Sequence, residues 1–169
     1  MNTFIINLEK DTHRFHNIIN ELHSRNIHKY ERIEAVYGKD LGCDTLKRVT
    51  TPFFSTFGTR STIGCAMSHI KTWNIIKQNK IPCAMILEDD IKFTDDFDNL
   101  DHIISHTPND FDILYLGYHF SNYYNKTSLL TNLVTLLVNQ STFKENTVIN
   151  KYVFKPKCAL GLHSYIVSY

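Results

Sequence analysis

The chain has 169 residues and a mass of 19.7 kDa, which is one domain's worth when domains usually hold roughly 100 to 200 residues. Hydrophobic residues at 43% and charged residues at 21% exclude a disordered or fibrous chain. Eighteen Lys and Arg against seventeen Asp and Glu leave a net charge of +1, too balanced for a protein whose main work is gripping nucleic-acid phosphates.

Phe4-Ile5-Ile6-Asn7-Leu8 is a short apolar run rich in β-formers and predicts a buried first strand. It follows no basic segment, so it is not a secretory signal, and a cytoplasmic location is expected. A helix capped by Asp11 or Thr12 comes next, because Phe15, Ile18, Ile19 and Leu22 recur at the spacing that buries one helix face. Tyr30 to Val36 predicts a second strand, with turn chemistry after it in Gly38-Lys39-Asp40-Leu41-Gly42. Thr50 to Gly58 reads as loop. From Thr62 to Lys77, Ile63, Met67, Ile70, Trp73 and Ile76 keep helical period, with lysines near the end where the helix dipole favours them.

Ala84-Met85-Ile86-Leu87 then runs without polar interruption into Glu88-Asp89-Asp90, the pattern of a central strand covered on both faces. Asn99 to His106 predicts a short helix, and Phe111 to Gly117 another core strand. Val153 to Phe154 and Ser164 to Ser168 read as extended, whereas Leu129 to Val138 fits helix and strand equally. That stretch is interrupted by Thr131, Asn132 and Thr135 and is far shorter than the ~18 apolar residues of a membrane span. Strands alternating with helices indicate a single α/β domain over 1–169. Cys43, Cys65, Cys83 and Cys158 form no CxxC pair and have no nearby histidine at zinc spacing, which predicts buried free thiols rather than a metal knuckle or redox motif.

The chemistry concentrates in Glu88-Asp89-Asp90. Three adjacent carboxylates repel one another unless a cation sits among them, and in extended chain Glu88 and Asp90 point to one side with Asp89 on the other. Such a pair presents hard oxygens to Mg²⁺ or Mn²⁺, at the strand end where open α/β sheets bind ligands. A solvated acidic turn accounts for the three acids equally well, and Asp95, Asp96 and Asp98 show that acids are common nearby.

The acids do not stand alone. Asn7-Leu8 followed by Arg14, Glu34 to Lys39, Ile63-Gly64-Cys65-Ala66-Met67-Ser68-His69, Ile86 to Ile91, and Phe111 to Gly117 together resemble the family 25 glycosyltransferases, which include lipopolysaccharide and lipooligosaccharide sugar transferases and collagen β-galactosyltransferases. Leu160 to Ser168 resembles the family's later Gly-x-His-x-Tyr segment. Each motif is weak by itself; the ordered set is fairly specific. The resemblance implies a GT-A type, Rossmann-like nucleotide-diphosphosugar transferase fold with a mixed, mostly parallel sheet flanked by helices. It also implies a UDP-sugar donor, Mn²⁺ or Mg²⁺ as cofactor, and inverting transfer of a hexose, galactose or glucose, to a glycan or hydroxylated protein acceptor.

Residue by residue, the resemblance puts Glu88, Asp90 and His163 on the metal, and Asn7, Arg14, Gly38, Lys39, Ser68, His69 and Asp89 around the donor. Arg14 has the planar fork that suits phosphate, although an arginine on the wet side of a helix fits it as well. His69 and His163 are each also explained as structural imidazoles. An inverting transfer needs a general base, and no residue is assigned to it; Asp112 precedes a strand and sits at the wrong end of a parallel sheet.

The family members compared continue past the Gly-x-His-x-Tyr segment, whereas this chain stops at Tyr169, so a missing C-terminal part and an unfinished sheet edge that invites homo-oligomerisation are expected. A non-catalytic nucleotide-sugar binding or interaction module is the alternative reading. A metal-dependent phosphatase is the third, disfavoured by the lack of an Asp-x-Asp-x-Thr pattern.

Overall fold

The structure is a computed structural model and describes residues 1–52, 58–117, 147–155 and 162–169. Five strands form one sheet: β1 (Asn2–Asn7), β2 (Glu31–Glu34), β3 (Cys83–Glu88), β4 (Ile113–Tyr115) and, last in the chain, β7 (Ser164–Ser168). Their order is β2-β1-β3-β7-β4. β1 pairs parallel with β2 and β3, and β7 runs antiparallel to both β3 and β4. Four strands therefore point one way and β7 the other. This is the mixed, mostly parallel sheet expected of the GT-A type. The short strands β5 (Thr147–Val148) and β6 (Phe154–Lys155) form a separate antiparallel pair.

Period-two alternation divides the core. Phe4, Ile6, Ala84 and Ile86 are buried on one face with Tyr165, beneath Trp73, Ile75 and Ile76 of helix α3 (Arg60–Gln78). Ile5, Met85, Leu87 and Ile166 are buried on the other, against Ile18 and Leu22 of helix α1 (Thr12–Ser24) and the half-buried Leu100 and Ile104 of helix α4 (Leu100–Ser105). Each such fully buried Ile or Leu contributes roughly 1.5–3 kcal/mol relative to exposure. β1 and β3 are thus covered on both faces, as their unbroken apolar runs predict.

α1 and α3 end on the same device. Asn26 and Lys80 take positive φ (60° and 50°), and the next residues, Ile27 and Ile81, donate their N–H back to the Leu22 and Ile76 carbonyls at 2.9 and 3.0 Å. Both isoleucines pack on the core, which fixes where the chain turns toward β2 and β3.

Three expectations are corrected. Among the described residues Phe111 to Gly117 is an edge strand rather than a core one: only Ile113–Tyr115 pairs, and Ile113 is 37% exposed. The final strand does not leave an unfinished edge, because β7 lies inside the sheet with partners on both sides. Cys43 and Cys65 are exposed and Cys83 is partly so, all three being free thiols; Cys158 lies outside the described residues. A further helix, α2 (Cys43–Val49), has no counterpart in the sequence reading. The expected loop from Thr50 to Gly58 and the ambiguous Leu129 to Val138 fall wholly or largely outside the described residues. Among those described, no helix is long and apolar enough to cross a membrane.

Candidate functional site

The strand order reverses at β1. The chain leaves β1 through α1 to reach β2 on one side, then returns through α3 to β3 on the other, so the crossover helices lie on opposite faces. Such a reversal leaves a crevice outside the carboxyl ends of the two strands where it occurs. Those ends are Asn7 and Glu88, since Ile6 registers with Glu88. Sequence alone places the acids at a strand end; the topology makes it this one.

Alternation carries past the strand. Glu88 shares the α3 face with Ala84 and Ile86, whereas Asp89 follows Met85 and Leu87 toward α1. On the α3 side, His69 Nε2 lies 3.2 Å from Glu88 Oε1, and Cys65 Sγ lies 3.7 Å from the same oxygen. His69 is 1% exposed. Its other ring nitrogen, Nδ1, is 2.9 Å from the Tyr165 hydroxyl, which accepts the Trp73 indole N–H at 2.8 Å. A carboxylate can only accept, so the histidine donates from Nε2 to Glu88, and in the neutral ring that leaves Nδ1 to accept from the Tyr165 hydroxyl. Trp73, Tyr165, His69 and Glu88 therefore form a hydrogen-bond chain of one direction ending on the acid. His163 adds its Nδ1 at 3.7 Å from Glu88 Oε2, while its carbonyl accepts the Glu88 N–H at 2.8 Å.

On the α1 side, Asn7 is buried and its amide is fully used. Oδ1 accepts from Arg32 Nε at 3.0 Å and from the same guanidinium's Nη2, and Nδ2 donates to the Asp11 carbonyl at 3.0 Å and to Asp89 Oδ2. Arg14 Nη1 lies 3.5 Å from both Asp89 Oδ1 and Asp90 Oδ2. The two sides set the acids differently. Burial pushes Glu88 up, but the His69 hydrogen bond, the pull of His163 and His69 and the Cys65 contact bring it below the ordinary carboxylate range. Burial also pushes Asp89 up, and Asn7 and Arg14 do not offset it beside Asp90, so Asp89 stays above that range. Cys65 is exposed as a residue but its thiol is partly desolvated, and that together with the Glu88 charge raises it to about 11.

The other expected donor residues lie one layer back. Ser68 is buried on α3, where its hydroxyl donates to the Gly64 carbonyl at 2.7 Å and accepts the Val36 N–H at 2.8 Å. Gly38 and Gly64 meet backbone to backbone: a Cβ on Gly64 would come within 2.6 Å of the Val36 carbonyl oxygen, and one on Gly38 would overlap the Arg60 carbonyl. These three residues fasten the segment after β2 onto α3. Lys39 is exposed and its carbonyl accepts from Arg60 at 3.3 Å. An apolar groove of about 840 Å³ lined by Val49, Met67 and Ile70 lies between α2 and α3, and none of the acids borders it; the chemistry argues for the acidic crevice as the site. The sequence reading gives Tyr165, Trp73, Cys65 and Arg32 no role in the site. Cys65 and His69 alone carry a local signal, four residues apart on one helix face.

Donor atoms of Glu88, Asp90 and His163 lie within 4.8 Å of one another. Two carboxylates and one imidazole are the hard and borderline ligands that suit Mn²⁺ or Mg²⁺, so the residues fit the implied cation.

The sequence pattern of the family described as "Glycosyltransferase family 25 (LPS biosynthesis protein)" matches residues 1–169. A procollagen galactosyltransferase 1-A of Xenopus laevis is 29% identical over 126 residues, covering 68% of this chain and 20% of that protein. The human procollagen galactosyltransferase 2 is 28% identical over 130 residues with the same coverage, and a glycosyltransferase 25 family member of Drosophila pseudoobscura pseudoobscura is 31% identical over 98 residues, 53% of this chain and 16% of the fly protein. The chain spans about a fifth of the length of the curated relatives it matches.

Proposed function

The chain belongs to glycosyltransferase family 25, and from that premise we propose that it is a metal-dependent inverting enzyme moving a hexose from a UDP-sugar to a glycan or hydroxylated protein acceptor. The observation that carries the reading is the convergence of Glu88, Asp90 and His163 at the reversal of strand order, beside Asn7, Arg14 and Asp89. The relatives' names favour galactose as the sugar.

Glu88, Asp90 and His163 would hold the cation, and Mn²⁺ or Mg²⁺ there would supply positive charge to stabilise a departing nucleoside diphosphate. Arg14, half exposed beside the acids, offers its fork to the diphosphate. Asp89, steadied by Asn7, accepts from a ribose hydroxyl. The His69–Tyr165–Trp73 chain keeps Glu88 ionised and aimed. The acceptor hydroxyl attacks the anomeric carbon from the face opposite UDP and gives its proton to a general base.

Thermal melting with Mn²⁺ and UDP, alone and together, tests the donor site. Saturation at a hundredfold excess over Kd stabilises by about 2.7 kcal/mol, or roughly 5–10 °C at roughly 2–4 °C per kcal/mol for a chain of this size. The expected rise needs both ligands and is absent in Glu88→Ala, Asp90→Ala. A cooperative melt that no nucleotide moves overturns the reading. A rise without transfer from UDP-galactose to any hydroxylated peptide or glycan supports the binding-module alternative.

A further inference from the structure

Cys65 and His69 stand four residues apart on α3 and so share one face of the helix. β3 brings Glu88 against that face, and the three donor atoms lie within 4.8 Å of one another. Glu88 Oε1 is 3.2 Å from the histidine nitrogen and 3.7 Å from the sulfur. Around tetrahedral zinc, with metal distances of about 2.0 Å to nitrogen and oxygen and about 2.3 Å to sulfur, ligand atoms are separated by ~3.3 Å (N to O) and ~3.5 Å (S to O). The two distances from Glu88 Oε1 are thus close to ligand spacing, and all three donor atoms are near enough to share one cation.

We propose that Cys65, His69 and Glu88 form a binding site for a thiophilic divalent cation, Zn²⁺ being the fit, with water in the fourth position. Sulfur, imidazole and one carboxylate oxygen make a softer set than Glu88, Asp90 and His163, so the two sets select different metals. They also take different oxygens: Oε1 faces Cys65 and His69, and Oε2 faces His163. His69 is buried and held from behind by Tyr165, the second partner that ligating histidines usually have. On binding, the thiol proton leaves to solvent and the ring hydrogen passes from Nε2 to Nδ1. Nδ1 then donates to the Tyr165 oxygen, which has a second lone pair besides the one Trp73 uses. The site does not rest on the donor reading, because it needs neither nucleotide nor Asp90.

Cobalt is the probe, since Co²⁺ occupies zinc sites and absorbs through a thiolate-to-metal transition. The full chain, stripped with chelator and titrated with Co²⁺ without oxygen, should show that near-ultraviolet band together with tetrahedral visible bands, and Zn²⁺ should bleach both. Asp90→Ala and Cys43→Ser should keep the bands. Cys65→Ser should abolish them, and Tyr165→Phe should weaken binding about 10–100-fold. Cys65 is exposed, so its serine variant opens no core, and circular dichroism verifies its fold. Absence of a thiolate band in the parent chain overturns the proposal. So does a band that survives Cys65→Ser, or one lost in Asp90→Ala.

Discussion

Glu88 faces α3 and Asp89 faces α1, and the two helices hold their carboxylates by different means. α3 brings a buried imidazole, held by Tyr165 with Trp73 behind it, and both His69 and Tyr165 are almost wholly removed from water. α1 brings Arg14, more than half exposed, at the long distance of 3.5 Å, with the inner support coming from Asn7 on β1. Burial pushes both acids up, yet Glu88 ends below the ordinary range and Asp89 above it. Each has a hydrogen bond from a buried side chain, His69 or Asn7; what separates them is that Glu88 adds the pull of His163 and the Cys65 contact, whereas Asp89 adds a surface ion pair open to screening and the repulsion of Asp90.

The largest effects are expected where α3 is seated. Gly64→Ala puts a methyl within 2.6 to 2.8 Å of backbone atoms of Val36 and Gly38. Backbone cannot swing aside, so the cost should be about 3 kcal/mol, at the upper end for overpacking. Urea unfolding measures it. Because the methyl displaces the segment of α3 that carries Cys65 and His69, Glu88 should lose its partners while the Asn7–Asp89 contact stays. An undisturbed histidine resonance in that variant breaks the link between helix seating and Glu88.

Next comes the chain behind Glu88. Tyr165→Phe removes the acceptor of a part-buried indole N–H and the donor to the buried His69, and should cost about 1–3 kcal/mol. The pH dependence sharpens the point. A carboxyl depressed on folding contributes stability that is present above its unfolded pKa and lost as pH falls through the folded one. Glu88 is such a group, so parent melting should fall on acidification through and below the ordinary carboxylate range, and Tyr165→Phe should blunt that fall. Asp89 runs the other way: its raised pKa means stability is greatest with the proton on and declines as pH rises through the folded value, so Asp89→Asn should remove a penalty at neutral pH. Equal acid limbs in Glu88→Gln and the parent chain, compared by melting across that range, contradict the contrast between the two acids.

Much of this arrangement is legible in the residues. The apolar runs ending at Asn7 and Glu88 announce covered strands, and the stripes of α1 and α3 follow helical period because each buries one face. α2 is silent since it buries no residue and so has no stripe to read. β7 looks extended, but nothing local tells that it enters antiparallel between β3 and β4, because pairing across 50 to 85 positions leaves no periodic mark. The acids, His69 and His163 are suggested by the family resemblance. Their partners are not: Tyr165 reaches His69 across 96 positions and Arg32 reaches Asn7 across 25.

The smallest stability effect should belong to Arg14→Ala. Its guanidinium is 54% exposed and approaches Asp89 and Asp90 only to 3.5 Å, a geometry worth about 0–1 kcal/mol and weakened as salt shortens the screening length below ~8 Å. Melting should shift by a few degrees at most in low salt and not measurably in high salt, while the rise produced by UDP with Mn²⁺ should shrink, since that rise depends on a fork left available by its weak contacts at home. A residue tightly bound in the resting chain would have to break those contacts before taking a diphosphate; one held loosely does not. An Arg14→Ala chain as destabilised as Tyr165→Phe, yet unchanged in its response to nucleotide, would make Arg14 part of the scaffold and erase the difference between the two helices.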